Sequence, residues 1–107
     1  MSTVDTDDYL FFYIGGGQYK AVTIGVGVQI AIYDLAGRLQ MIESLPVADP
    51  MDVYVEVNQS GEQALTRADN GAAGVTFTPA SGQMYFYVFF DSKTKKIAKG
   101  GKFMLQK

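Results

Sequence analysis

Hydrophobic and polar residues alternate with a period of two along most of this chain. The clearest stretch spans residues 22–32, where every even position is β-branched: Val22, Ile24, Val26, Val28, Ile30 and Ile32. Such alternation is typical of β-strands, and no segment shows a helical period. The pattern predicts strands over residues 9–14, 22–32, 39–45, 53–57, 62–67, 75–78, 84–90 and 102–106, with a polar loop over 93–101.

Turn residues separate these strands. The segment 33–38 predicts a hairpin turn in which Gly37 has a positive φ, and Asp69-Asn70-Gly71 predicts another turn. Short strands at this spacing predict an all-β sandwich of about 7–9 strands. We expect a single β-sandwich domain over residues 9–107, preceded by an acidic N-terminal arm over residues 1–8.

Two stretches resemble a known kind of module. Residues 28–39 read VQIAIYDLAGRL, and residues 65–88 read LTRADNGAAGVTFTPASGQMYFYV. The second resembles the T-x-x-D-x-N-G-x-A … F-T … P-x-x-G-x-Y-x-V run of bacterial immunoglobulin-like modules. It is also similar to the transthyretin-like regulatory domains attached to carboxypeptidases. The resemblance implies an immunoglobulin-like or transthyretin-like β-sandwich that is non-catalytic and serves in surface, adhesive or virion structural proteins.

Composition narrows the possible chemistry. The chain has 107 residues and contains no His, Cys or Trp. Ser-His-Asp and Cys-His catalysis is therefore excluded, as are nearly all zinc, haem and iron–sulfur sites. The acids near residues 5–8 and 69–71 do not match a twelve-residue calcium loop. No spacing among the carboxylates selects a catalytic pair, so we expect no enzymatic activity, no cofactor and no bound metal.

The N-terminal sequence and the lengths of the apolar stretches give an expectation for the compartment. The first eight residues are polar and acidic, and no basic segment precedes the first apolar run, so no signal peptide is expected. No apolar stretch reaches the roughly 20 residues of a membrane span. We expect synthesis in the cytoplasm and residence in a virion or, failing that, in the cytoplasm itself.

Charge is unevenly distributed along the chain. The net charge of −2 combines an acidic start, with Asp5, Asp7 and Asp8, and a segment after Asp91 that has no acid and these lysines: Lys93, Lys95, Lys96, Lys99, Lys102 and Lys107. The lysines predict either a solvated edge hairpin or contact with an acidic protein surface. This lysine-rich segment contains no arginine, so binding to nucleic acid is the least favoured of its possible functions. The arm and the lysine-rich segment complement each other, within one molecule or between neighbours.

Aromatic residues form a second pattern, on two of the predicted strands. Tyr9, Phe11 and Tyr13 share one strand face, and Tyr85, Tyr87 and Phe89 share another. The opposite faces, which hold Leu10, Phe12 and Ile14 and then Met84, Phe86, Val88 and Phe90, are expected to face the core. The tyrosine-rich faces are either covered by the protein itself, used as a protein interface, or used as a carbohydrate platform.

Two glycines interrupt the longest alternating stretch. Gly25 and Gly27 lie on the same face of the predicted strand 22–32. Small residues at these positions indicate either a bend that lets the strand serve two sheets or a flat docking strip for a partner.

These observations together predict a structural or interaction protein that assembles with itself or with a larger protein scaffold. Its most concrete form is a virion component of a bacterial virus: a decoration, capsid-stabilising, fibre or tail subunit. The alternative is a cell-surface adhesin or carbohydrate-binding module. The candidate interface residues are Asp5, Asp7, Asp8, Tyr9, Phe11, Tyr13, Gly25, Gly27, Tyr85, Tyr87, Phe89, Lys95, Lys96 and Lys99.

Overall fold

The computed structural model describes residues 8–52, 55–57, 63–65 and 72–105. Its strands are β1 (Tyr9–Gly15), β2 (Gln18–Thr23), β3 (Val28–Asp34), β4 (Leu39–Ser44), β5 (Val55–Val57), β6 (Gln63–Leu65), β7 (Val75–Phe77), β8 (Met84–Asp91) and β9 (Ile97–Met104). A short 3-10 turn covers Pro50–Asp52. The described residues form no α-helix, and none of their helical structure is long and apolar enough to cross a membrane.

The strands form two main antiparallel sheets. The three-stranded sheet has the order β1-β2-β7, and the four-stranded sheet has the order β4-β3-β8-β9. β5 and β6 pair with each other as a separate two-stranded ribbon. The prediction of an all-β chain is confirmed, and two antiparallel sheets in contact fit the predicted β-sandwich.

The core lies between the two main sheets. Ile30 and Ile32 of β3 and Phe89 of β8 are completely buried there, against Ala21 of β2 from the other sheet. Removing one such side chain from water stabilises the fold by about 1.5–3 kcal/mol, so this apolar layer holds the sheets together. A smaller cluster on the other side of the three-stranded sheet contains Leu10, Val22, Ala48 and Ala72.

The alternating stretch 22–32 is not one strand, although its sequence predicts one. β2 ends at Thr23 in the three-stranded sheet, and β3 begins at Val28 in the four-stranded sheet. Gly25 and Gly27 lie in the bend between them, where Gly27 has a φ of 72° that an L side chain rarely adopts. The expectation that these glycines mark a bend between two sheets is therefore confirmed. The alternative, a flat docking strip on one long strand, is not supported, because the two glycines lie between strands.

The hairpin predicted after β3 is confirmed. β3 ends at Asp34, β4 begins at Leu39, and Gly37 has a φ of 84°. The Gly37 N–H donates to the Asp34 carbonyl at 2.9 Å, which closes the turn. The Asp34 carboxylate accepts from the Arg38 N–H at 2.9 Å and from the Arg38 Nε at 2.8 Å, so side chain and backbone stabilise the same turn.

The prediction of a loop over residues 93–101 is wrong for its second half. β9 begins at Ile97 and pairs along its length with β8, with a bulge between Phe89 and Phe90. This strand was not predicted, because its lysines and glycines interrupt the apolar alternation on which the prediction relied. Parts of the predicted strands 53–57 and 62–67 correspond to β5 and β6. The predicted turn at residues 69–71 and the arm residues Asp5 and Asp7 lie outside the described residues.

Candidate protein-interaction surface

The tyrosine-rich strand faces lie inside the sandwich. The Phe11 ring of β1 stacks on the Tyr87 ring of β8, with centroids 4.4 Å apart and planes 18° apart. The Tyr9 ring contacts the Phe89 ring at 5.6 Å. Tyr85 and Phe89 are only 4% and 0% exposed. The prediction that these rings form an interface is therefore wrong for Tyr85 and Phe89, because β1 and β8 lie in different sheets that pack face to face.

Tyr13, the third aromatic residue of its set, differs from the buried rings. It is exposed at the end of β1, and its hydroxyl accepts a hydrogen bond from the Gly17 N–H at 3.0 Å. Its ring also contacts the Tyr19 ring, with centroids 5.3 Å apart. Tyr13 therefore stabilises the β1–β2 turn while its side chain remains partly exposed to solvent.

The expected core face of β8 lies on the outside of the four-stranded sheet. Because Tyr85, Tyr87 and Phe89 point inward, the alternate residues of β8 point outward, which reverses the sequence-based assignment. The strand register places the following residues on this outer face: Gln29, Ala31, Tyr33, Leu39, Ile42, Ser44, Met84, Phe86, Val88, Phe90, Ile97, Gly100, Lys102 and Met104.

This outer face is apolar and partly open. Leu39 and Ile42 on β4 are 51% and 46% exposed, and Ile97 on β9 is 71% exposed. Between them, Phe86 and Phe90 on β8 are half-buried. Contiguous apolar surface of this kind is typical of protein–protein contacts in soluble proteins.

The charged groups of the outer face are cationic. Lys102 lies on it, opposite Phe86, and the Lys95 ammonium lies 5.6 Å from the centroid of the Phe90 ring. No carboxylate lies among the outer-face residues given above. Gln29 opposes Phe90, and its side-chain oxygen Oε1 is buried without a hydrogen-bond partner among the described residues. An apolar, carboxylate-bearing surface would match this face.

The lysines after Asp91 lie in two different environments. The turn before β9 is held by the Asp91 carboxylate, which accepts from the Lys93 and Thr94 N–H groups, each at 2.8 Å. The N–H groups of Thr94 and Lys93 hold the pKa of Asp91 below its ordinary value. Lys95 and Lys96 are exposed in this turn, at the end of the edge strand β9.

Lys99, by contrast, is not a free surface cation. Its ammonium donates to the Tyr9 carbonyl at 2.8 Å and so connects β9 to β1 in the other sheet. Asp8 is also held against the fold, because its carbonyl accepts a hydrogen bond from the Thr23 hydroxyl of β2 at 2.9 Å. The residue types alone gave no signal that one of the candidate lysines joins the two sheets.

An open groove of about 680 Å³ lies at one end of the outer face. It is lined by Asp34, Leu35, Ala36, Arg38, Gly82, Gln83, Met84 and Met104. The Arg38 N–H is the main cause that holds the pKa of Asp34 below its ordinary value, with the Arg38 guanidinium adding to it against the opposing effect of burial. The Asp34 carboxylate is thus engaged in the hairpin. In the groove and elsewhere, the described residues contain no group of three or more potential metal ligands.

Known proteins supply no further assignment. Comparison of the chain with protein-family models, curated proteins and solved structures finds no match.

Proposed function

We propose that this chain is a non-catalytic structural protein that assembles with itself or with a larger protein scaffold through the outer face of its four-stranded sheet. The observation that carries the proposal is the exposed apolar surface at Leu39, Ile42 and Ile97, continuous with half-buried Phe86 and Phe90. Burial of such a surface against a partner supplies the hydrophobic free energy that drives protein association.

The cations on this face define the chemistry of the partner. Lys95 and Lys102 flank the apolar centre. A partner surface with carboxylates at its rim satisfies both lysines. The acidic arm of a neighbouring copy, with Asp5 and Asp7, offers carboxylates of this kind.

We place this role in the virion of a bacterial virus, as a decoration, capsid-stabilising, fibre or tail subunit. The small size, the two-sheet fold and the absence of His and Cys support a structural role. The choice of a virion rests on the resemblance to immunoglobulin-like modules and on analogy of fold. The carbohydrate-binding alternative relied on Tyr85 and Tyr87, and Tyr85 is buried in the core, so we do not propose it.

Light scattering coupled to size-exclusion chromatography tests the proposal. We expect the full chain to form a species larger than 11.7 kDa, and the exposed Ile97→Lys substitution to shift it toward a smaller species. Val26→Lys is the matched control, because Val26 is 84% exposed in the β2–β3 bend, outside the strands of the four-stranded sheet. A monodisperse monomer at every concentration, or equal effects of both substitutions, would contradict self-assembly through this face.

A further inference from the structure

The two edges of the four-stranded sheet differ in chemistry. β9 carries Lys99 and Lys102 and follows a lysine-rich turn, a composition that protects edge strands from pairing with other chains. β4 reads LQMIES and contains no lysine, arginine or proline. All of its residues are exposed except the half-buried Met41. Within the described part of the chain, no strand other than β3 pairs with β4.

The free backbone groups of β4 can be assigned from the ladder. The Leu45 N–H donates to the Val28 carbonyl at 2.9 Å, and Gln29 lies opposite Ser44 in the same register. Hydrogen-bonded and non-hydrogen-bonded pairs alternate along an antiparallel ladder. The amide and carbonyl groups of Ile42 and Ser44 therefore point away from β3, toward the open edge.

We infer that β4 pairs with β4 of a second copy of this chain, antiparallel and centred on Ile42, so that the two four-stranded sheets form one continuous sheet. This inference deepens the proposed function, since it names a self-partner and rests on self-assembly. Ile42 of each copy donates its N–H to the carbonyl of Ile42 in the other. The two Ile42 side chains meet on the outer face, whose apolar surface then runs across the two-fold axis.

Charge and hydrogen bonding select this register over its neighbours. Centring on Ile42 places Met41 opposite Glu43 of the second copy and Gln40 opposite Ser44, so no like charges meet. Centring on Glu43 would place the two Glu43 carboxylates opposite each other, which is destabilising. It would also align Gln40 with Pro46, which has no N–H to donate.

The remaining register, centred on Met41, loses hydrogen bonds at the hairpin. It would place Ser44 opposite Arg38, whose N–H already donates to the Asp34 carboxylate and whose carbonyl accepts from the Asp34 N–H at 2.9 Å. Of these three registers, only the one centred on Ile42 keeps Gln40, Ile42 and Ser44 paired within β4 and avoids a like-charge pair.

Single-cysteine crosslinking reads out this register directly, because the chain has no native cysteine. In a hydrogen-bonded antiparallel pair the facing Cα atoms are about 5.5 Å apart, within the range that a disulfide spans. Ile42→Cys is therefore expected to form a disulfide-linked dimer under mild oxidation. Met41→Cys and Glu43→Cys would be offset by two residues from their own copies, about 8 Å apart, beyond disulfide reach.

Val26→Cys is the matched control for random collisions, since Val26 is exposed outside the sheets. Non-reducing electrophoresis and mass spectrometry should show at least about fivefold more dimer for Ile42→Cys than for Val26→Cys. Preferential crosslinking through position 41 or 43 would overturn the register. Crosslinking no greater than the control at positions 41, 42 and 43 would overturn the edge pairing altogether.

A backbone variant provides a second measurement by sedimentation velocity. Ile42→Pro removes the outward N–H without removing a bond to β3, as edge positions tolerate, and it should weaken dimerisation about tenfold or more. Ile42→Val keeps the N–H and should dimerise like the parent chain. Equal dimerisation of both variants would refute the inference. If Ile97→Lys still disperses the assembly in that case, the proposed function stands and only the edge pairing fails.

Discussion

Gly101 in β9 allows the ring of Tyr87 to cross the neighbouring strand. A Cβ atom at position 101 would lie 2.8 Å from Tyr87 Cε1 and Oη and 2.9 Å from Cζ. The ring cannot simply withdraw, because its other side stacks on Phe11 with centroids 4.4 Å apart. Gly101→Ala therefore forces a repacking of the layer between the sheets.

The cost follows from the size of this overlap. Carbon atoms in proteins make favourable contact at about 3.5–4.0 Å, so the new methyl group would overlap the ring by roughly 0.7–1 Å. Overpacking of this kind costs about 1–3 kcal/mol. The smaller unfolded-state entropy of alanine offsets about 0.4–1 kcal/mol of it. We expect a net loss of about 1–2 kcal/mol, or a Tm lower by about 4–12 °C for a domain of this size.

Urea unfolding followed by circular dichroism measures this loss, and a double-mutant cycle assigns it. In the Tyr87→Leu background the ring is gone, so Gly101→Ala should cost at least about 1 kcal/mol less there. Gly25→Ala is the control substitution, because its Cβ would meet its nearest atoms at 3.4 Å, an ordinary contact. An equal cost of Gly101→Ala in both backgrounds would refute the steric explanation.

Two further predictions concern polar groups of the fold. Tyr85→Phe removes the hydroxyl that accepts from the Ala80 N–H at 3.0 Å and should lower the free energy of unfolding by about 1–2 kcal/mol. Tyr87→Phe should change the free energy of unfolding by less than about 0.5 kcal/mol, because the Tyr87 hydroxyl has no hydrogen bond among the described residues. A larger loss for Tyr87→Phe than for Tyr85→Phe in urea titrations would contradict this prediction. Asp34→Asn should destabilise the chain at neutral pH. The folded pKa of Asp34 is below its ordinary 3.8, so its contribution is present above that pH and is lost as the pH falls through the folded pKa. Thermal melts of parent and variant should therefore converge on acidification, and a constant gap would argue against the carboxylate.

Local sequence signals predicted those parts of the structure that depend on neighbouring residues. The hairpin around Gly37 was predictable because a tight turn needs a positive φ that glycine adopts without strain. The bend at Gly25 and Gly27 was one of two interpretations of the same residues. The strand β9 was not predictable from apolar alternation, because Gly100 and Gly101 and the lysines around them carry no such pattern.

The candidate surface was located on the wrong side of β8. Alternation separates two faces of a strand but does not say which face meets another sheet. Tyrosine has an apolar ring and a polar hydroxyl, so a set such as Tyr85 and Tyr87 fits either the core or an interface. The Tyr85 hydroxyl is buried because Ala80 and Gln83 supply its hydrogen bonds, and residue type alone does not reveal such partners.

The sequence by itself determined that the chain is all-β, that it lacks the residue types of His- and Cys-based chemistry, and where several of its turns fall. These properties follow from period-two alternation, from composition and from glycine positions, all of which are local. Only the tertiary structure decided that the Phe11 and Tyr87 rings meet inside and that Phe86 and Phe90 face outward. The reason is that burial depends on which sheet each strand joins, and that choice is made by long-range pairing and packing between strands far apart in the chain.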